Sequence, residues 1–283
     1  MKVLLFGATG CFGTEFETAC ARRNVTLVGL SHQDIDITDH GAVRRAIAGH
    51  APDAVVNAVA LIGINLCEEQ PDRSFAVNAS AVLPMAKTCA GRGIVLVQAS
   101  THAVFDGARI EPYTEADAAN PGNIYGISKL ASELIAAHQC PKHYVVRFPT
   151  MFGRRRNNAP GFVDKMIERL RQGLEVRVAD DKIDSPTYAL DAADAVLGLL
   201  LDRRPYGLYH VANAGEVGYF ELIAALKAML GSTSPLVAAK DADFPTLAPK
   251  AQRTAMRSVK LPPLRPWREA LQDYVDNGLQ APA

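Results

Sequence analysis

The chain has 283 residues, 48% of them hydrophobic, with 30 basic and 30 acidic side chains and a formal net charge of zero. That is long enough for one large core or two unequal lobes, and neutrality excludes a global field that would draw the protein to nucleic acid or to an anionic membrane. The five cysteines are odd in number and widely spaced and the seven histidines do not cluster, which suits a reducing compartment and gives no expectation of a protein-bound metal.

Residues 2–6 form a short, continuous apolar run, the pattern of a strand buried on both faces of a parallel sheet. The run is too short for a signal peptide, and the longest later one, 195–201, falls far short of the ~18–20 residues of a membrane span. A cytoplasmic protein is expected. Gly7-Ala8-Thr9-Gly10-Cys11-Phe12-Gly13 follows the run, then a helical pattern through Phe16, Ala19 and Cys20. Strand, glycine turn and helix in that order read as a dinucleotide site. The glycines let the backbone approach a pyrophosphate, and the first helical turn presents unpaired N–H groups to it. Gly7, Thr9, Gly10, Cys11 and Phe12 are the candidate residues there.

A second strand, 25–30, ends at Ser31-His32, with no carboxylate before Asp34. An acid at its end would bind the ribose hydroxyls of NAD and repel a 2′-phosphate, so its absence favours NADP(H) over NAD(H). Asp36-Ile37 lie where the chain can reach an adenine ring, and Thr38 or Asp39 caps the next helix. The third strand, 54–57, runs into Ala58-Val59-Ala60, which allow close passage of a cofactor. Residues 65–71 read as a loop, and a helix from Asp72 buries Phe75, Val77, Val82, Leu83 and Met85. The fourth strand, 94–97, ends in Gln98-Ala99-Ser100-Thr101. Four βα units without insertion make an α/β fold with an open, doubly wound parallel sheet, its ligands at the carboxyl ends of the strands.

A turn-rich loop, 105–122, leads into NPGNIYGISKLASE at 120–133. Apolar residues at Ile124, Ile127, Leu130, Leu134 and Ile135 predict an amphipathic helix opening near Asn123. On that helix Tyr125 and Lys129 share a face, about 5–6 Å apart at Cβ. An ammonium so placed would lower a phenol pKa of about 10 and make a proton donor that works near neutrality; the same spacing also fits an ordinary surface pair. Residues 143–148 read as a strand, 161–172 as a helix, 175–179 as a strand, and 191–201, 219–230 and 267–275 as helices. The expected division is a dinucleotide-binding domain over 1–148, completed by parts of 187–212, with 149–186 and 213–283 forming a smaller substrate lobe.

In this order, the glycine turn, the strand-end Ser100-Thr101 and the Tyr125/Lys129 pair resemble the extended short-chain dehydrogenase/reductase superfamily. Within it the chain is similar to the dTDP-4-dehydrorhamnose reductase family of NADPH-dependent sugar-nucleotide reductases. The likeness rests on GATGCFG at 7–13, DIDITD at 34–39, PDAVVNAVA at 52–60, ASTHAVFDG at 99–107 and the 120–133 stretch. It continues through DSPTYALDAADA at 184–195, GLYHVANAG at 207–215 and APKAQRTAMRSVKL at 248–261. The resemblance implies a Rossmann-like fold with a C-terminal substrate lobe, a nucleotide-sugar substrate and the habit of a homodimer. It assigns Tyr125 as proton donor to a carbonyl oxygen, Lys129 to the phenol and the nicotinamide ribose, and Thr101 to orienting the same oxygen. Ser100 and Phe148 would complete the cofactor side, and His102, Ala103, Asn123 and Thr150 the substrate side.

The departures gather on that substrate side. His102-Ala103 stand where the family has an acid and an aromatic, Asn65-Leu66 where it has an acid and a lysine, and Thr150 where a tryptophan is frequent. A sugar other than 4-keto-rhamnose, or one bound differently, is therefore expected. His102 fits either a ligand contact or a filler residue. Glu15 fits one position of a metal bridge found in some relatives, but Leu190 occupies another, so the metal is not carried over. Arg154, Arg155, Arg156, Arg147, Lys165 and Arg169 fit a diphosphate clamp or a solvated basic face. Two other readings stay open: a sugar-nucleotide epimerase or dehydratase, and a non-catalytic NADP-binding regulatory subunit.

Overall fold

In the computed structural model, which describes residues 1–157 and 160–279, the first apolar run is strand β1 (Lys2–Phe6), with Val3, Leu4, Leu5 and Phe6 fully buried. It is followed by α1 (Cys11–Arg22), β2 (Thr26–Leu30), α2 (His40–His50), β3 (Ala54–Asn57), α3 (Ile64–Glu69), α4 (Pro71–Phe75) and α5 (Val82–Arg92). Then come β4 (Val95–Thr101), α6 (Ile124–Gln139) and β5 (His143–Phe148). The remainder is β6 (Met151–Phe152), α7 (Phe162–Arg171), β7 (Val176–Ala179), β8 (Ile183–Asp184), β9 (Thr187–Tyr188), α8 (Ala189–Leu201), β10 (Gly207–His210), β11 (Val217–Gly218), α9 (Tyr219–Met229), β12 (Leu236–Ala239) and α10 (Trp267–Asp273).

Six strands make one sheet in the order β10-β5-β4-β3-β1-β2, parallel throughout. This is the doubly wound α/β architecture expected from the alternating pattern. The order reverses between β1 and β3, and a doubly wound sheet opens its ligand crevice beside such a switch. One face is covered by α1 and α8 through Phe12, Phe16, Ala193, Val196 and Leu197. The other is covered by α2, α5 and α6 through Val43, Ile47, Val82, Met85 and Ala136. A separate apolar cluster joins α7, α9 and α10 around Phe152, Ile167, Leu226 and Leu271. Among the described residues no helix is long and apolar enough to cross a membrane.

Three local expectations are corrected. Residues 65–71 are not a loop: most of them form α3, and Pro71 opens α4 at a first-turn position, where its missing N–H is no loss. The helix expected from Asp72 is not a regular α-helix: it widens over 76–80, where the Ala81 N–H reaches back to the Ala76 carbonyl, and then runs on as α5. On α6 the apolar spacing does not mark one buried side: Ile127 is 40% and Leu134 63% exposed, while Leu130 and Ile135 are half-buried against core clusters. The inner side carries Gly126, Ser128, Lys129, Ser132, Glu133 and Ala136. Small residues there let the helix lie close to β4 and the turn after it; a Cβ on Gly126 would overlap the Ala103 carbonyl. The polar ones are satisfied where they are buried, as in the Ser74–Ser128–Asn78 cluster.

Candidate active site

The glycine turn takes its shape from one close approach. Gly7 has φ +90°, and a Cβ on it would stand 3.0 Å from the Ala58 carbonyl carbon, so the loops after β1 and β3 meet backbone to backbone at the switch point. A cavity of about 490 Å³ opens there. Its walls include Gly7, Thr9, Gly10, Ser31, His32, Asp36, Ile37, Ala58, Val59 and Ala60, so ten of the residues singled out for a cofactor share one crevice. Arg73, on α4, and Asn157 also line it and carry no sequence signal, because their segments reach the crevice only in the folded chain.

Other residues singled out for the cofactor turn away from it. Phe12 is buried against Phe16 and Phe148, at centroid distances of 5.4 and 5.0 Å, so Phe12 and Phe148 belong to the core. Cys11 opens α1, and burial pushes its thiol up to about 12. The Ser100 hydroxyl is spent on Glu133, to which it donates at 2.5 Å.

Thr101 is the last residue of β4, and Asn123 caps α6, its side chain accepting the Gly126 N–H at 2.9 Å. These two anchors bring the Thr101 and Tyr125 hydroxyls together: burial pushes the Tyr125 phenol up to about 12, and a hydrogen bond with Thr101 opposes it. This overturns the expectation that Lys129 lowers the phenol's pKa. The Lys129 ammonium donates to the Ala99 carbonyl at 2.6 Å. Burial brings its own pKa down to about 8, while the Glu133 carboxylate pulls the other way. Glu133 is held in turn by Arg147, whose Nε and Nη2 bind its two oxygens at 2.8 and 2.7 Å.

A second cavity, of about 300 Å³, is lined by His102 and Ala103 after β4, by Asn123, and by Lys182, Tyr219 and Lys250. Thr150 stands behind this wall, its hydroxyl 2.7 Å from that of Tyr219. Lys182 and Tyr219 were not singled out by the sequence, although DSPTYALDAADA starts two residues beyond Lys182; Lys250 lies within the 248–261 stretch that carries the resemblance, with no role attached to it there. Lys250 is paired with Asp241 at 2.9 Å, whereas the Lys182 ammonium lies over the Tyr219 ring, 5.5 Å from its centroid. His102 Nδ1 is 3.0 Å from Asp184 Oδ1, and that carboxylate also accepts the Ser185 and Thr150 N–H groups. Burial alone would raise Asp184; the His102 and Thr150 interactions hold it below the usual carboxylate range.

The arginine cluster forms no clamp. Arg154 grips Glu15 through Nε and Nη2 at 3.0 and 2.8 Å, Arg155 faces Asp164 at 2.9 Å, and Arg156 pairs with Glu17. Arg169 donates to the Glu175 carbonyl at 2.6 Å, and Lys165 is exposed. Glu15, fully buried against Arg154, is spent on a guanidinium. Among the described residues no group of three or more His, Cys, Asp or Glu gathers as a metal site.

A doubly wound sheet with a dinucleotide crevice at its switch point, and a strand-end threonine beside a tyrosine and a buried lysine four residues on, define an NAD(P)-dependent oxidoreductase of the extended short-chain dehydrogenase/reductase type. The chain belongs to the family described as the RmlD substrate binding domain, which matches residues 1–279. A dTDP-4-dehydrorhamnose reductase of Streptomyces griseus is 34% identical over 95% of this chain and 91% of its own length. A solved structure of such a reductase from Clostridium acetobutylicum superposes with a TM-score of 0.93 at 30% identity, covering 99% of this chain and 100% of that one. Another, from Bacillus anthracis in complex with NADP, has a TM-score of 0.90 at 25% identity and covers 96% and 98%.

Proposed function

We propose that the protein uses NADPH to reduce a keto group on a nucleoside-diphosphate sugar. The observation that carries this reading is the pairing of the Thr101 and Tyr125 hydroxyls at the end of β4, next to residues that line a second cavity, while the dinucleotide crevice opens at the neighbouring strand ends. NADPH supplies the hydride and is expected along the crevice, with Gly7, Thr9 and Gly10 near its pyrophosphate and Ser31 and His32 near the adenosine ribose. Tyr125 gives its proton to the carbonyl oxygen, and Thr101 orients both oxygens with its hydroxyl. A phenol with a pKa near 12 keeps its proton until an alkoxide forms beside it, so proton delivery is tied to reduction. Lys129, close to neutral exchange at about 8, serves as the donor that moves from the Ala99 carbonyl to the ribose and the phenol.

In the second cavity His102, Ala103 and Asn123 face the sugar, with Thr150 acting through Tyr219. Lys182 takes the place of a clamp arginine as the cation for the diphosphate, with Lys250, held by Asp241, beside it. The bacterial relatives above are named for dTDP-4-dehydrorhamnose; the altered wall at His102, Ala103 and Thr150 supports a different or differently held keto sugar. The division into a cofactor domain over 1–148, with parts of 187–212, and a substrate lobe over 149–186 and 213–283 belongs to the same proposal, as do a cytoplasmic location and a homodimer. The test is NADPH oxidation against a panel of nucleoside-diphosphate 4-keto sugars. Turnover of at least one supports the reading, and NADPH binding without turnover of any member sinks it.

A further inference from the structure

The His102–Asp184 pair moves no proton in the reduction just described, in which His102 only faces the sugar, yet it is built as acid–base pairs are. Asp184 is fully buried at the end of β8 and receives two backbone N–H bonds, at 2.8 and 3.0 Å, besides His102 at 3.0 Å. Three elements are thereby tied to one carboxylate: the turn after β4, the residue after Phe148 and Pro149, and the start of the SPT loop. The carboxylate has no proton to give, so Nδ1 of His102 is the donor, and the neutral ring carries its lone pair on Nε2. No hydrogen-bond partner for Nε2 is found among the described residues, and His102 lines the second cavity while its side chain stays 18% exposed. A fixed base with an open lone pair thus lies one residue beyond Thr101, the residue that polarises the keto oxygen.

The geometry points to a second reaction in this site: proton exchange at the carbon next to the keto group, with His102 as the base and Asp184 as its positioning residue. This rests on the keto-sugar reading above. A carbon–hydrogen bond flanking the carbonyl breaks and its proton goes to Nε2. The bond's electron pair becomes the carbon–carbon double bond of an enol, and the carbonyl oxygen takes the Tyr125 proton. Reversal returns a proton from Nε2 to carbon and one from the enol oxygen to Tyr125. Nothing is oxidised or reduced, and no hydride is needed. The charged and titratable groups that share the cavity with His102 are Asp106, Lys182, Tyr219 and Lys250. None of them has a carboxylate partner of this kind holding a ring in one orientation.

The test uses the whole protein saturated with NADP+, so that reduction cannot proceed, and the panel sugar that it reduces with NADPH, in deuterated water. Proton NMR should show loss of a signal from a carbon flanking the keto group, faster than in buffer alone. General-base contributions of about 10²–10⁴ imply that His102→Gln slows this loss at least about 100-fold. Asp184→Asn, which keeps the side chain's volume, should slow it as well. The nitrogen-15 shifts of His102 should show Nδ1–H as the single tautomer in the parent and a mixture in Asp184→Asn, a change that a purely structural role would not produce. NADP-induced thermal stabilisation verifies that each variant is folded. Reduction with NADPH but no exchange above buffer, or exchange undiminished in His102→Gln, overturns the inference and leaves the reductase reading standing. No reduction of any panel sugar overturns that reading first, and this inference with it.

Discussion

Replacing Arg147 by Met isolates the buried pair on which the Lys129 environment depends. The Arg147 and Glu133 side chains are only 4% and 7% exposed, and the Arg147 Nε and Nη2 engage both Glu133 oxygens. The guanidinium also lies 5.0 Å from the Phe105 ring centroid, so methionine keeps most of the packing and removes the charge. The Glu133 carboxylate would then keep the Ser100 hydroxyl and the field of the Lys129 ammonium but no ion-pair hydrogen bond, and a buried charge that loses its partner costs about 3–5 kcal/mol. At ~2–4 °C per kcal/mol for chains approaching this size, thermal unfolding followed by circular dichroism should show a fall of roughly 6–20 °C. Adding Glu133→Gln removes the stranded charge, so the double variant should be more stable than Arg147→Met alone. A single variant within about 2 °C of the parent, or a double variant destabilised relative to the parent by the sum of the two single effects, would contradict this.

Three more outcomes follow from the same geometry. Glu133→Gln removes the charge that opposes burial at Lys129, so the limb of the pH–rate profile that depends on Lys129 should move below about 8; an unmoved limb contradicts that assignment. Gly126→Ala places a methyl against the Ala103 carbonyl and should shift α6 away from Thr101, lowering kcat more than NADPH affinity in steady-state kinetics and binding titrations. His210 is fully buried, and burial holds its pKa down to about 4 in the folded chain against an ordinary 6.5. The unfolded chain takes up the proton first, so this group's contribution is intact above pH 6.5 and is lost as pH falls toward 4, up to ~3 kcal/mol. Urea unfolding at pH 7 and pH 4.5 should show a smaller loss for His210→Gln than for the parent.

The parts of the fold legible in the sequence were those with local signals. The run at 2–6 followed by GATGCFG needs no partner to be read, because continuous apolarity and glycine spacing are set within a dozen residues. Asn123 as helix cap was legible for the same reason. What was not legible depends on residues far apart in the chain. Arg154 and Glu15 are separated by 139 positions and His102 and Asp184 by 82, so the sequence left the row of arginines open between a clamp and a solvated face, and His102 open between a ligand contact and a filler residue. The inner face of α6 misled differently, because the space against β4 admits only small or hydrogen-bonded side chains, and Ile127 and Leu134 of the apolar set were left outside. Tyr125 and Lys129 were found by their spacing, but spacing is silent about burial, and burial governs both pKa values in the folded chain.

Keto-sugar reduction as proposed depends on proton delivery by Tyr125. Its most direct test is kcat for Tyr125→Phe against the parent, with saturating NADPH and the best sugar of the panel. The predicted result is a fall of about 10²–10⁴ with NADPH affinity retained, whereas a phenylalanine variant that turns over at the parent's rate would contradict the claim.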